Sequence, residues 1–345
     1  MASFSFKQVI LSLGLPVAVF ATGAQQARSQ IETSGRFLTS INDGSGTQSC
    51  VSGVCAISGG TDADSNKFHR FTKFDANLTS ETSITGVTIE TDSQSNIILG
   101  VASSSNGFNL SVPLSLDSSA NLFIVSPNGI SLSSGASFSN VTDLTLTNLS
   151  TLPIGLSQFS VNSTLSEVQL LTDTPALSRT NPSLSTVAPN APITIGGSEG
   201  VTLSVDGSLY VHANSDLTVL NSALNAPSIM DVGGALTVTS STFDNTSQVS
   251  LYSLGNLGLY NSTFDGNTTL SLTSVGDIVV YNSTVNGNLT VIIDSGNDIA
   301  IDGSYVVGNG YELAAEQGDE VIDDSDFDIE DNVLDIEEQG DVVID

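Results

Sequence analysis

The sequence is poor in positive charge, and what it has is confined to one half. Only 7 of its 345 residues are Lys or Arg, against 37 Asp and Glu. The last of the seven is Arg179, so residues 180–345 hold 25 acids and no base, a formal charge of −25. Binding to phosphate backbones or anionic membrane surfaces needs clustered cations, which this half cannot supply, so nucleic acid is not an expected partner. An enzyme that grips phosphate or an acidic sugar would have to borrow its cation from the first half. Charged residues are only 13% of the chain, which leaves Ser, Thr and Asn to face water.

Trp is absent, and there are only two His, His69 and His212, and two Cys, Cys50 and Cys55. Two Cys separated by four residues, with no companion Cys or His set, do not make a tetrahedral zinc site. The sequence QSCVSGVCAISGG contains no CxxC redox motif either. In an exported chain the pair reads as a local disulfide across a Gly-containing hairpin, contributing about 2 kcal/mol. Long apolar runs are also missing. The apolar stretch from Val9 to Ala21 falls short of the roughly 20 residues a membrane-spanning helix needs. It follows Lys7 and precedes a small-residue stretch containing Ala27 and Ser29, which is the pattern of a signal peptide over residues 1–29 with Gln30 as the mature start.

Regular spacing is what the chain does have. LTVLNSAL, LTVTSSTF, LGLYNSTF, IVVYNSTV and IAIDGSYV start at Leu217, Leu236, Leu257, Ile278 and Ile299, at intervals of 19, 21, 21 and 21 residues. Apolar residues alternate within each unit, as on a strand with one buried face. The same phase aligns Ser222, Ser241, Ser262, Ser283 and Ser304, and separately Phe243, Phe264, Val285 and Val306. A second short strand recurs at Val249, Leu270 and Val291. Several brief strands per 21-residue turn predict an all-β, right-handed, single-stranded parallel β-helix with an N-terminal cap. A β-sandwich would account for the alternation but has no reason to hold equal serine and apolar offsets over five units. Stacked Ser and Asn at the bends are expected to hydrogen-bond from coil to coil.

Residues 151–200, with repeated Pro breaks, read as a variable linker or side-loop region. The expected organisation is therefore a signal peptide (1–29), an N-terminal block (30–150), this linker (151–200), the parallel ladder (201–310) and an acidic tail (311–345). The tail carries 15 acids and no base, and is expected to be expanded by self-repulsion, with its scattered apolar residues able to cap the last coil or add an edge strand. No EF-hand spacing is present; no cofactor is expected, and calcium is the one ion that the carboxylates would suit.

The N-terminal block carries a recognisable order of motifs: SGG at Ser58–Gly60, NKFHRFTKF at Asn66–Phe74, NIILG at Asn96–Gly100 and ANLFIVSPNGI at Ala120–Ile130. Over residues 30–150 this resembles the filamentous haemagglutinin N-terminal, or haemagglutination-activity, secretion domain of two-partner secretion exoproteins. Lys67, Arg70 and Ser126 stand where the family more often has Leu, Ser and Asn. The resemblance implies passage through the periplasm, recognition by the periplasmic modules of an outer-membrane β-barrel transporter, and release to the cell surface or medium as a surface-associated adhesin-like protein with a cell-surface or glycan ligand. It carries Asn66, His69, Phe71, Asn121, Pro127, Asn128 and Gly129 over as recognition candidates, none of them catalytic. Physical chemistry assigns the same residues structural work: the phenylalanines can pack at the cap, and Pro127-Asn128-Gly129 is a turn. His69 reads as a packed or hydrogen-bonding residue rather than a metal ligand.

Parallel β-helices also occur among polysaccharide lyases and hydrolases. Asp206, Asp216, Asp231, Asp244, Asp265 and Asp277 would permit acid/base pairs, but a half without cations repels acidic glycans. The expectation is a non-enzymatic exoprotein; the alternatives are a β-helical polysaccharide-active enzyme and a shortened structural exoprotein without adhesion activity.

Overall fold

The computed structural model describes residues 30–42, 49–76, 84–102, 107–176, 191–244, 248–266, 269–286 and 290–308, with side chains up to Tyr305, and five strand backbones between 310 and 344. The signal-peptide reading of residues 1–29 lies outside them. The chain is a right-handed parallel β-helix. Among the described residues its strands form sheets of thirteen, fifteen and seven members, and no described helix is long and apolar enough to cross a membrane.

From Thr202 onward each coil visits the three sheets in turn, whereas the earlier coils contribute only to the first two. Ile193, Leu217, Leu236, Leu257, Ile278 and Ile299 pair in register along the first sheet. Val211, Met230, Leu251, Leu272 and Ile293 do so along the second. Leu224, Phe243, Phe264 and Val285 occupy the third, where the two phenylalanine rings stack with centroids 4.7 Å apart. These columns point inward and merge into one continuous apolar core. A one-residue slip would turn a whole column outward, so the alternation in sequence is what locks the register.

The corners are satisfied by serine. The backbone N–H groups of Ser222, Ser241, Ser262 and Ser283 each donate to the Oγ of the serine one coil on, at 3.1–3.2 Å. Each Oγ in turn donates to the carbonyl two residues earlier in its own coil, at Leu220, Thr239, Tyr260 and Tyr281. Asn221, Ser240, Asn261 and Asn282 precede them in the left-handed conformation, which Asn tolerates best among residues with a side chain. A second serine column that the sequence reading overlooked, Ser253, Ser274 and Ser295, donates to the carbonyls of Gly234, Gly255 and Gly276 at the next corner.

At the N-terminal end, antiparallel strands close the helix. Gln30–Glu32 pairs antiparallel with Ser49–Cys50 and with Lys73–Ala76, and Thr39–Ile41 pairs antiparallel with Gly53–Gly59. Reversing direction here keeps the first coil from offering a parallel edge to another chain. A disulfide joins Cys50 to Cys55, so the edge strand of the first sheet is tied to the edge region of the second.

Residues 151–176 are a folded side module rather than a bare linker. Thr151–Ile154 and Ser157–Ser160 form a hairpin, followed by a one-turn helix, Leu165–Val168, whose start is held by a reciprocal Thr164–Glu167 capping box. The Thr164 backbone N–H bonded to the Glu167 carboxylate holds that acid below the ordinary carboxylate range. Leu152, Ile154, Phe159, Val161, Val168 and Leu171 form a second core against Phe37, Phe68, Ile98, Phe123 and Val125. The module therefore covers the outer face of the second sheet near its start.

Beyond Tyr305 the acidic segment continues the coils instead of leaving them. Ile301 pairs with Ile322 and Ile322 with Ile344, Leu313 with Ile336, and Val306 with Phe327. Glu312 and Asp335 fall at the alternate register position, as do Asp302 and Asp323. Glu312, Glu320, Asp323, Asp326, Asp328, Asp335 and Glu337 thus lie on described strands, in line with the added edge strands and not with the expanded polyanion expected from charge alone.

Candidate functional site

Three of the four motif segments of the N-terminal block, those after Ser58–Gly60, lie on three neighbouring strands. Asn66–Phe71, Asn96–Val101 and the latter part of Pro113–Val125 pair in parallel, with Asn66, Asn96 and Asn121 in one register. Their side chains form a ladder: Asn121 Nδ2 donates to Asn96 Oδ1 at 3.0 Å, and Asn96 Nδ2 to Asn66 Oδ1 at 2.9 Å. Asn66 Nδ2 ends the chain of bonds on the carbonyls of Leu171 and Asp173 in the side module, at 2.7 and 2.8 Å. Asn96 was not singled out from the sequence; its signal was the Asn that opens each of the three segments.

The strand Asn66–Phe71 is buried on both faces. Lys67, His69 and Phe71 share the phase of the core residues Ile97, Leu99 and Val101, whereas Asn66, Phe68 and Arg70 face the side module. Phe71 packs edge-on against Phe74, which stacks on Phe108. Phe68 meets Phe159 at 5.3 Å between ring centroids. Arg70 Nε donates to the Val161 carbonyl at 2.6 Å and Nη1 to Ser34 Oγ at 3.0 Å. Arg70, a departure from the family pattern, thus fastens the module to the cap.

Lys67, the other departure in this strand, has its ammonium on the Gly59 carbonyl at 2.9 Å and beside Asp62 and Asp92 at 3.0 and 2.6 Å. Burial works against its charge, but the hydrogen bonds and charges of Asp92 and Asp62 carry its pKa above the ordinary lysine value. His69 is fully buried, and neither ring nitrogen has a hydrogen-bond partner. Burial, helped by the charge of Lys67, lowers its pKa to about 3 against a smaller opposing pull from Asp92, so the ring is neutral.

The later motif makes a turn at a corner. Gly129 N–H donates to the Ser126 carbonyl at 3.0 Å, and Gly129 has φ +95°, where a Cβ would stand 2.8 Å from the Pro192 carbonyl. Ser126 is buried with its hydroxyl unpartnered. Of the seven recognition candidates, Asn66, His69, Phe71 and Gly129 are buried, Asn121 and Pro127 are half-buried, and Asn128 is exposed. The structure brings Asn66 and Asn121 together through Asn96, and places Pro127-Asn128-Gly129 at the end of the same strand run.

The aspartates weighed as acid/base pairs are spread around the ladder. Asp244 and Asp265 are adjacent in register and exposed on the third sheet. Asp216 accepts from the Ala235 N–H at 2.9 Å, and Asp277 from Asn256 at 3.2 Å. Asp231 is buried 3.4 Å from His212 Nδ1; burial lowers the pKa of that imidazole although the carboxylate opposes it. No group of three or more His, Cys, Asp or Glu able to hold a metal occurs among the described residues.

The chain matches no family model, no curated protein and no solved structure. The fold itself is an all-β, right-handed solenoid, consistent with the broad structural class of the secretion domains that its N-terminal motifs resemble.

Proposed function

We propose that this protein is a bacterial exoprotein of the two-partner type, passed through the outer membrane by a partner β-barrel transporter and displayed or released as an adhesin-like, non-enzymatic β-helical shaft. The observation that carries the reading is the joining of the motif segments. Asn66–Phe71, Asn96–Val101 and Asn121–Val125 form one asparagine-laddered patch behind an antiparallel cap, and the ladder coils grow from it without a break in the sheets. In a solenoid each coil needs only its predecessor as a template. A capped first end followed by self-similar coils suits folding that proceeds as the chain emerges. The cation-free second half would also be repelled by anionic membrane surfaces, favouring a soluble shaft.

Asn128 is the exposed member of the motif, so Asn128→Ala is the substitution that disturbs buried packing least. With the purified periplasmic modules of the transporter encoded beside this gene, residues 30–345 should bind, and Asn128→Ala should bind about tenfold more weakly with an unchanged melting temperature, a loss of about 1.4 kcal/mol. Absence of binding by the intact protein would count against the transporter reading.

A further inference from the structure

We infer that the outer face of the first sheet, around Tyr260 and Tyr281, is a binding platform for an extended, uncharged polysaccharide. The inference rests on the surface-exoprotein reading and supplies its ligand class. Leu257 and Leu259 point into the core, so Gly258 and Tyr260 lie on the outer face. A Cβ on Gly258 would stand 2.5 Å from Tyr260 Cε2 and 2.9 Å from its Oη, which means the ring lies back across the glycine along the sheet surface. Burial on that surface raises the Tyr260 pKa. Tyr281 follows on the next rung, in register with Tyr260, and is 40% exposed. Their rungs are about 4.8 Å apart, close to the length of one pyranose along an extended chain.

The corner beside the tyrosines supplies hydrogen bonds. Asn261 and Asn282, held in the left-handed conformation, are exposed, and Asn282 Nδ2 donates to Asn261 Oδ1 at 2.6 Å. Among the described residues this leaves Asn261 Nδ2 and Asn282 Oδ1 facing solvent as a donor and an acceptor. Aromatic faces beside fixed amides suit sugars, which present C–H groups on one side and hydroxyls at the edge. Charge then selects within that class. Asp302 stands next to Tyr281 in register, and residues 180–345 contain no Lys or Arg, so uronic or sulfated chains would be repelled.

Isothermal titration of residues 30–345 with cellohexaose, chitohexaose and hexagalacturonate tests this. Binding of at least one of the two uncharged hexasaccharides, weakened tenfold or more by Tyr281→Ala and unchanged in moderate salt, is the expected result. Tyr260→Phe, which keeps the ring, should bind like the parent. Binding of neither uncharged sugar, equal binding by Tyr281→Ala with an unchanged melting temperature, or preference for hexagalacturonate would each overturn the platform. None of these outcomes touches the transporter reading, whose failure is read separately in the binding to the periplasmic modules.

Discussion

Replacing Phe159 by alanine is expected to cost about 3–5 kcal/mol and to release the side module from the β-helix. Phe159 is fully buried between Phe37 and Phe68, and its ring lies over Gly100, where a Cβ would stand 2.8 Å from Cζ. With the ring gone, the module loses its only aromatic anchor and keeps the smaller aliphatic contacts of Leu152, Ile154, Val161, Val168 and Leu171 and the polar ties from Asn66 and Arg70. Thermolysin should then cut within residues 151–176 at denaturant concentrations where the ladder is still folded. Phe264→Ala is the control. It should cost a similar amount, because Phe264 stacks on Phe243 in the main core, yet leave residues 151–176 protected. Equal protection of the module in both variants would show that Phe159 does not hold it.

The second large effect is a pH dependence centred on His69. Its pKa is about 3 in the folded protein and about 6.5 in the unfolded chain, so unfolding takes up a proton anywhere between these values. The folded-state pKa is the lower one. The contribution of neutral His69 is therefore complete above pH 6.5 and is lost as pH falls towards 3, by an amount on the order of 5 kcal/mol. The charged neighbours acting on the ring are Lys67, which disfavours protonation, and Asp92, which favours it. His69→Leu removes two unpartnered buried nitrogens and the proton uptake together. Urea unfolding at pH 7, 5 and 4 should show the variant at least as stable as the parent at pH 7 and progressively more stable below it. Parallel loss of stability in both proteins would assign the acid sensitivity to the carboxylates instead.

Sequence spacing revealed the ladder because a parallel β-helix repeats its chemistry in phase. The serine column from Ser222 to Ser304 and the Phe243–Phe264 stack both sit at the offsets that the 21-residue repeat predicts. The turn at Ser126–Gly129 was equally legible, since Pro-Asn-Gly has few other uses.

The side module was not legible, for a physical reason. Its apolar residues repeat nothing, because they pack against the outside of the helix rather than joining a coil. Two signals were nevertheless present. Thr164-Leu165-Ser166-Glu167 is a capping box, and NKFHRF, NIILGV and NLFIV have little of the apolar–polar alternation expected of a strand with one solvated face. For the acidic segment, charge alone pointed to an expanded tail, whereas the spacing of its apolar residues pointed to added edge strands. Phe327, Ile336 and Ile344 pair in register with Val306, Leu313 and Ile322 of the preceding coil, and Asp335 pairs with Glu312 at the neighbouring position. Lys67 and Arg70 show the opposite limit: as sequence they are departures from a motif, and only the packing reveals the cap and module contacts they make.

The central claim is export by a partner transporter through the N-terminal coils, and its most direct test is surface delivery. The full chain would be expressed in an outer-membrane-bearing bacterium with or without the neighbouring transporter gene, and surface exposure scored by protease shaving of intact cells. The account predicts exposure only when the transporter is present, and its loss when residues 30–150 are deleted even though the ladder coils remain. Delivery without the transporter, or undiminished delivery of the deletion, would contradict it.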